Sequence, residues 1–137
     1  MNVLFLDTET TGLPLWKEPS HHPGQPHIVQ LAALMVNVDT RKTVATIDLT
    51  IRPEGWTIPD ETAAIHGVTT EHALDVGVPE SMALRLFIEM WTRCAFRVAH
   101  NAPFDARILR IALTRHLPDL ADPYKAGAEQ CTQALST

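Results

Sequence analysis

Asp7 and Glu9 stand two apart in the run Val3-Leu4-Phe5-Leu6-Asp7-Thr8-Glu9-Thr10-Thr11-Gly12-Leu13. The four apolar residues before them read as a short strand buried on both faces, and the Thr/Gly cluster after them turns the chain. Side chains alternate across a strand, so both carboxylates point to the same side of its carboxyl end. Like charges held that close are costly unless a cation sits between them or one of them keeps its proton. Hard oxygen donors suit Mg²⁺ or Mn²⁺ better than zinc. The plainer alternative is a polar strand end at the solvent edge that binds nothing, and Asp-x-Glu alone does not separate the two.

A third carboxylate comes from far along the chain. Ala95-Phe96-Arg97-Val98-Ala99 reads as a short strand. His100-Asn101-Ala102-Pro103-Phe104-Asp105 then leads into a helix with Pro103 in its first turn, where the missing N–H is tolerated. Asp105 is thereby placed in the first turn of a helix that starts beside a strand end. Asp-x-Glu-Thr-Thr-Gly-Leu early and His-Asn-Ala-x-Phe-Asp late resemble the DEDD superfamily of 3′-to-5′ exonucleases, whose best-known members are the proofreading subunits of bacterial replicative polymerases. Between them, Ala64-Ile65-His66-Gly67-Val68-Thr69 is similar to the apolar-His-Gly-apolar-Thr segment that many of those proteins carry. The resemblance runs from Asn2 to the neighbourhood of Leu117.

The resemblance implies an α/β, ribonuclease H-like fold: a mixed five-stranded sheet, an antiparallel meander plus parallel strands, with helices on both sides. Asp7 and Glu9 would end its central strand, with Asp105 facing them from a helix. It implies two Mg²⁺ or Mn²⁺ ions about 4 Å apart, one activating a water and the other stabilising the leaving oxygen. Asp7 would bridge both ions, Glu9 would serve the nucleophile side and Asp105 the other. Leu13 would wedge against the terminal base, and Thr10, His100, Asn101 and Phe104 would contact the substrate around the strand end. Glu61 and His66 belong to a region that lies over the cleft in the family, although His66 reads equally well as a helix-end residue bonding the last carbonyls.

The superfamily is named for four carboxylates, and this sequence supplies three. The fourth normally follows a catalytic histidine or tyrosine, as His-x-x-x-x-Asp or Tyr-x-x-x-Asp. His116 stands three before Asp119 and six before Asp122, and Tyr124 reaches Ala128 at the required offset, so neither pattern is present where the family carries it, on a helix beyond the last strand. The expectation is one domain over residues 1–137, truncated before the fourth carboxylate, with a natural variant that binds without cutting as the rival. The missing general base alone would lower the rate by about 10²- to 10⁴-fold.

With 137 residues the chain has room for one domain with a real core. A hydrophobic content of 45% and a charged content of 20% are those of a soluble globular protein. The net charge of −5 argues against a broad basic surface gripping long duplex DNA. A strand-end enzyme needs few phosphate contacts, so a nucleic-acid substrate is not excluded. Cys94 and Cys131 lack metal-ligand spacing and read as free thiols of a reducing compartment. No apolar run reaches spanning length and no signal peptide is visible, so no membrane partner and a cytoplasmic location are expected.

The other elements must place the carboxylates. Pro14 to Pro26 is a long proline-rich loop, and its position suggests that it flanks the substrate. Trp16 there is either a stacking platform for a base or an aromatic pinned to the surface. His21, His22 and His27 invite a zinc reading, with no cysteine or carboxylate partner nearby. Ile28 to Val38 reads as an interior strand and Thr43 to Arg52 as a strand with one wet face, completing a meander. Short helices are expected over Pro59 to Gly67 and Thr69 to Leu74. A longer, mostly buried one spans Pro79 to Cys94, with Met82, Phe87, Met90 and Trp91 in the core. The helix after Pro103 turns Phe104, Ile108, Ile111 and Ala112 inward, leaving Arg107, Arg110 and Arg115 for phosphate or for solvent. A last strand and a helix start fall within Ala128 to Leu135.

The function expected is a metal-dependent 3′-to-5′ exonuclease acting on single-stranded DNA 3′ ends and releasing nucleoside monophosphates, in proofreading or repair. RNA 3′-end trimming is the enzymatic alternative, and an inactive nucleic-acid-binding or interaction module of the same fold is the other. A coincidental motif on an unrelated domain predicts no Mn²⁺ binding dependent on Asp7. A DNA polymerase or replication complex is the expected protein partner, and an exposed sheet edge near the carboxyl end favours pairing with a second copy.

Overall fold

The computed structural model describes residues 1–132. Strand β1 (Asn2–Thr10) pairs antiparallel with β2 (Ile28–Asn37), and β2 pairs antiparallel with β3 (Lys42–Thr50). On its other side β1 pairs parallel with β4 (Phe96–Ala99), which pairs parallel with β5 (Glu129–Cys131). The order β3-β2-β1-β4-β5 places β1 at the centre of a mixed five-stranded sheet, as expected. The chain is α/β and has the ribonuclease H-like arrangement.

The helices are α1 (Asp60–His66), α2 (Thr70–Val76), α3 (Glu80–Trp91), α4 (Ala102–His116) and α5 (Ala121–Ala126), with a 3₁₀ turn at Pro118–Leu120. Asp60 and Glu61 suit the positive end of α1. Gly67 closes α1 in the left-handed region, φ 78°, donating to the Ala63 carbonyl at 2.7 Å. Thr69 caps α2, its hydroxyl accepting from the His72 amide at 3.2 Å.

The main core joins Leu4, Leu6 and Leu31 of the sheet to Phe87 of α3, Leu109 of α4 and Tyr124 of α5. Leu109, with no exposed surface, contributes about 2 kcal/mol by its burial. A smaller cluster of Val29, Ile58, Val68 and Ala73 holds α1 and α2.

Three expectations change. β1 extends through Thr10 because β2 offers it partners to the end. β1 is also not buried on both faces: Leu4, Leu6, Thr8 and Thr10 face the core, while Phe5 is 40% exposed and Asp7 lies open beside it. The open side is a groove of about 350 Å³ against Ala32, Leu34, Thr46 and Asp48. In α3, Phe87 and Met90 are buried, but Met82 and Leu86 face outward, widening the expected wet stripe of Ser81, Arg85 and Glu89. Beyond β5, the helix start expected toward Leu135 lies outside the described residues except for Thr132.

Candidate active site

β1, α1 and the first turn of α4 enclose a cleft of about 300 Å³. Glu9, Thr10 and Leu13 enter it from β1 and the turn after it, Ile65 and His66 from α1, and Phe104 from α4. The turn is pinned by the Thr10 hydroxyl, which donates to the Gly12 carbonyl at 2.7 Å. Leu13 and Ile65 are 74% and 82% exposed, apolar side chains at a cleft mouth with nothing on them.

His66 sits at the end of α1, but it bonds an amide there and not the last carbonyls. Its Nδ1 accepts from the Val68 amide at 3.1 Å, which closes the helix end and leaves the proton on Nε2. That Nε2 is buried and has no partner among the described residues. A buried donor left unpaired costs about 1–3 kcal/mol, which a ligand in the cleft would recover.

Asp7 and Glu9 project from one face of β1, as the alternation requires. Asp105 is buried, 3% exposed, and accepts a 2.7 Å hydrogen bond from the Thr8 hydroxyl. Thr8 alternates with Asp7 and Glu9 along β1 yet lines the cleft with Glu9, so its hydrogen bond ties Asp105 to the strand end, within electrostatic range of the other two carboxylates. The reason is the packing of α4 on the core side of the sheet, where a buried carboxyl takes the nearest donor. Burial lifts the Asp105 carboxyl to about 6; the Thr8 hydrogen bond opposes that rise, and the charges of Asp7 and Glu9 add to it. Among the described residues no three His, Cys, Asp or Glu side chains converge on one point. The donor chemistry nevertheless fits a hard divalent cation, with two carboxylates side by side and a third within electrostatic range, one hydrogen bond from release.

Glu61, His100 and Asn101 are not brought into the cleft. Glu61 is exposed in the first turn of α1. His100 is exposed, its Nδ1 2.9 Å from the Thr132 hydroxyl. Asn101 precedes α4 without capping it through its side chain. The histidines of the zinc reading are used locally: His22 Nδ1 accepts from the Gly24 amide, and His27 stacks on Trp56 at 4.3 Å.

Sequence reasoning missed the layer behind Asp105. Arg97 of β4, 2% exposed, bonds Glu129 at 2.9 Å and the Tyr124 carbonyl, with its guanidinium 3.8 Å from the Tyr124 ring centre. Burial pushes the Tyr124 phenol well above its usual range. An arginine inside a four-residue apolar strand was the available signal, because a charge at such a position needs a buried partner.

The family profile described as "Exonuclease" (RNase_T) matches residues 4–127. The chain belongs to that exonuclease family. A DNA polymerase III subunit epsilon-like protein of Rhodobacter capsulatus is 33% identical over 110 residues, covering 80% of this chain and 14% of that protein. E. coli exonuclease I in complex with a dT13 oligonucleotide superposes with a TM-score of 0.77 at 18% identity, over 98% of this chain and 28% of that one. Its zinc ion bound form with single-stranded DNA gives the same TM-score, identity and coverage. This chain thus spans well under a third of the length of each, and at such identity the two structures establish the fold alone. Among the described residues no helix is long and apolar enough to cross a membrane.

Proposed function

We propose that this exonuclease-family domain removes nucleotides from single-stranded DNA 3′ ends, with Mg²⁺ or Mn²⁺ as cofactor and nucleoside monophosphates as products. The observation that carries the reading is the cleft itself, where Glu9 shares one cavity with the exposed Leu13 and Ile65, beside Asp7. Leu13, Ile65 and Phe104 flank the terminal base and exclude water from it. The unpaired His66 Nε2–H donates to the sugar or phosphate of the same nucleotide. Asp7 and Glu9 would hold the cations, and Asp105 would join them by leaving Thr8. When bound, such ions supply a water acidic enough to attack and charge stabilisation for the leaving oxygen. The zinc-bound neighbour and the polymerase-like relative support a metal-dependent domain that serves a replication or repair assembly.

The His-x-x-x-x-Asp of the sequence, His100 to Asp105, already supplies the third carboxylate, and neither a second one nor a Tyr-x-x-x-Asp follows it, so slow turnover is expected of these 137 residues. The same lack, with Asp105 held by Thr8, favours a second reading as a non-cutting module that grips strand ends. Nothing in the cleft reads a 2′-hydroxyl, which keeps RNA ends as a competing substrate. The test is a 5′-labelled single-stranded DNA incubated with Mn²⁺, beside an Asp7→Ala variant and an RNA of the same sequence. Stepwise shortening from the 3′ end, lost in the variant, supports the nuclease. End binding without shortening hands the case to the module, and equal cutting by the variant removes these carboxylates from the chemistry.

A further inference from the structure

The loop between β1 and β2 carries a tryptophan that the core does not use. Trp56 stacks on His27 with the rings 7° from parallel, and Trp91 packs on Tyr124 with ring centres 5.2 Å apart. The Trp16 ring has no aromatic partner among the described residues and is 51% exposed. The backbone beneath it is tightly held. Gln25, only 2% exposed, accepts from the Leu15 amide at 2.9 Å and donates to the Leu15 and Pro19 carbonyls at 3.1 and 3.0 Å. Arg107 donates to the Trp16 carbonyl at 3.4 Å, to the Glu18 carbonyl, and to the Ser20 hydroxyl at 3.1 Å. Arg115 donates to the Gln25 and Pro26 carbonyls at 2.6 and 2.8 Å. Both arginines belong to α4, so the loop is strapped along the helix that supplies Asp105.

That strap holds the Trp16 backbone against the helix whose first turn lines the cleft. Leu13 lines the cleft three residues earlier, which limits the separation of the two α-carbons to about 10 Å. Phe104 also lines it, and Arg107 follows one turn later, about 5 Å along α4. We propose that Trp16 is a stacking platform for the base adjacent to the terminal nucleotide of a single strand entering the cleft. The inference rests on the strand-end reading above and adds a second nucleotide position to it. Two features favour stacking over charge as the grip there. The net charge is −5, and the nearby Arg107 and Arg115 are already engaged with loop carbonyls rather than left for phosphates. An indole whose backbone is ordered before the strand arrives loses little freedom on binding, and every base offers it a flat face.

The experiment measures binding of a fluorescein-labelled single-stranded DNA of about eight nucleotides, and of a mononucleotide, to the chain with divalent ions chelated. The unaltered protein is compared with Trp16→Phe, which keeps a flat ring, and with Trp16→Leu, which keeps the apolar contact but not the ring. Trp16→Leu is expected to weaken the oligonucleotide by about 5- to 150-fold and leave the mononucleotide unchanged, with Trp16→Phe retaining most of the affinity. Equal oligonucleotide binding by Trp16→Leu overturns the platform, as does a parallel loss of both ligands, which would mark a structural role. Failure of the unaltered protein to bind either ligand, with ions chelated and again with Ca²⁺ added, overturns the strand-end reading and the platform with it. Oligonucleotide binding that survives in Trp16→Leu overturns the platform alone.

Discussion

Asp105→Asn should make the metal-free protein more stable at neutral pH while removing a carboxylate from the proposed chemistry. Asp105 is buried and carries a carboxyl lifted from 3.8 to about 6, chiefly by that burial. The native state therefore holds this proton more tightly than the unfolded chain. The favourable contribution is complete below about pH 4, declines as the pH rises through about 6, and is absent above that. A shift of about two pH units corresponds to about 3 kcal/mol of stability lost between those limits. Asparagine has the same shape, keeps an oxygen for the Thr8 hydroxyl and does not ionise, but its amide N–H groups go unpaired at a cost of about 1 kcal/mol. The net gain at pH 8 is about 2 kcal/mol, which raises the Tm by about 6–8 °C at this chain length. At pH 4 the order reverses by about 1 kcal/mol. Denaturant and thermal unfolding with EDTA at pH 4, 6 and 8 measure both. Saturating Mn²⁺ at pH 8 should erase the variant's lead, since an ion at 100 times its Kd adds about 2.7 kcal/mol to the form that binds it. A variant that is no more stable than the parent at pH 8, or whose advantage is the same at pH 4, refutes the account of Asp105 as an ionised group held in place at a cost.

Gln25→Ala removes the buried amide at the centre of the β1–β2 loop, with its bonds to Leu15 and Pro19. A loss of about 2–3 kcal/mol is expected in denaturant unfolding, with faster proteolysis between Trp16 and His22; a loss confined to a few tenths would mean the arginines alone hold the loop. Two glycines should separate strain from clash. Gly67→Ala, at φ 78° in open space, is expected to cost about 1 kcal/mol. Gly77→Ala has ordinary φ, but its new Cβ would meet the Arg52 amide nitrogen at 2.5 Å, so a cost of about 3 kcal/mol or more follows. Equal stabilities for the two variants would contradict this.

The fold was legible where the signal is local. The Asp-x-Glu strand, the meander and the Pro103 helix start each depend on neighbours in sequence, and all stand near their expected bounds. What sequence reading could not reach depends on pairs far apart in the chain. Thr8 and Asp105 are 97 residues apart, and alternation on β1 shows only that Thr8 faces away from Asp7 and Glu9. Arg107 and Arg115 read as phosphate ligands or solvent-facing charges, yet both bond carbonyls 89 to 91 residues earlier. Nothing in a helical pattern reveals which loop will lie along it. Met82 failed for a different reason: a helix apolar nearly all round does not say which of its flanks the sheet covers.

These long-range pairs converge on α4. Its first turn carries Phe104 and Asp105, its second carries Arg107, and its last carries Arg115, while Ile108, Leu109, Ile111 and Leu113 are buried along it. The helix therefore sets the distance between the carboxylate cluster and the Trp16 loop by a rigid element rather than by contact between them. Under the proposed strand-end reading, position along α4 separates chemistry from grip, with the terminal phosphodiester beside its first turn and the following base beside the loop strapped to its second. A loop held only by its own residues would drift relative to Asp105, and an indole on it would meet each base at a different depth. Two arginines spaced eight residues apart on one helix remove that freedom at both ends of the loop. This explains why so much hydrogen bonding is spent on a proline-rich segment that adds little to the core.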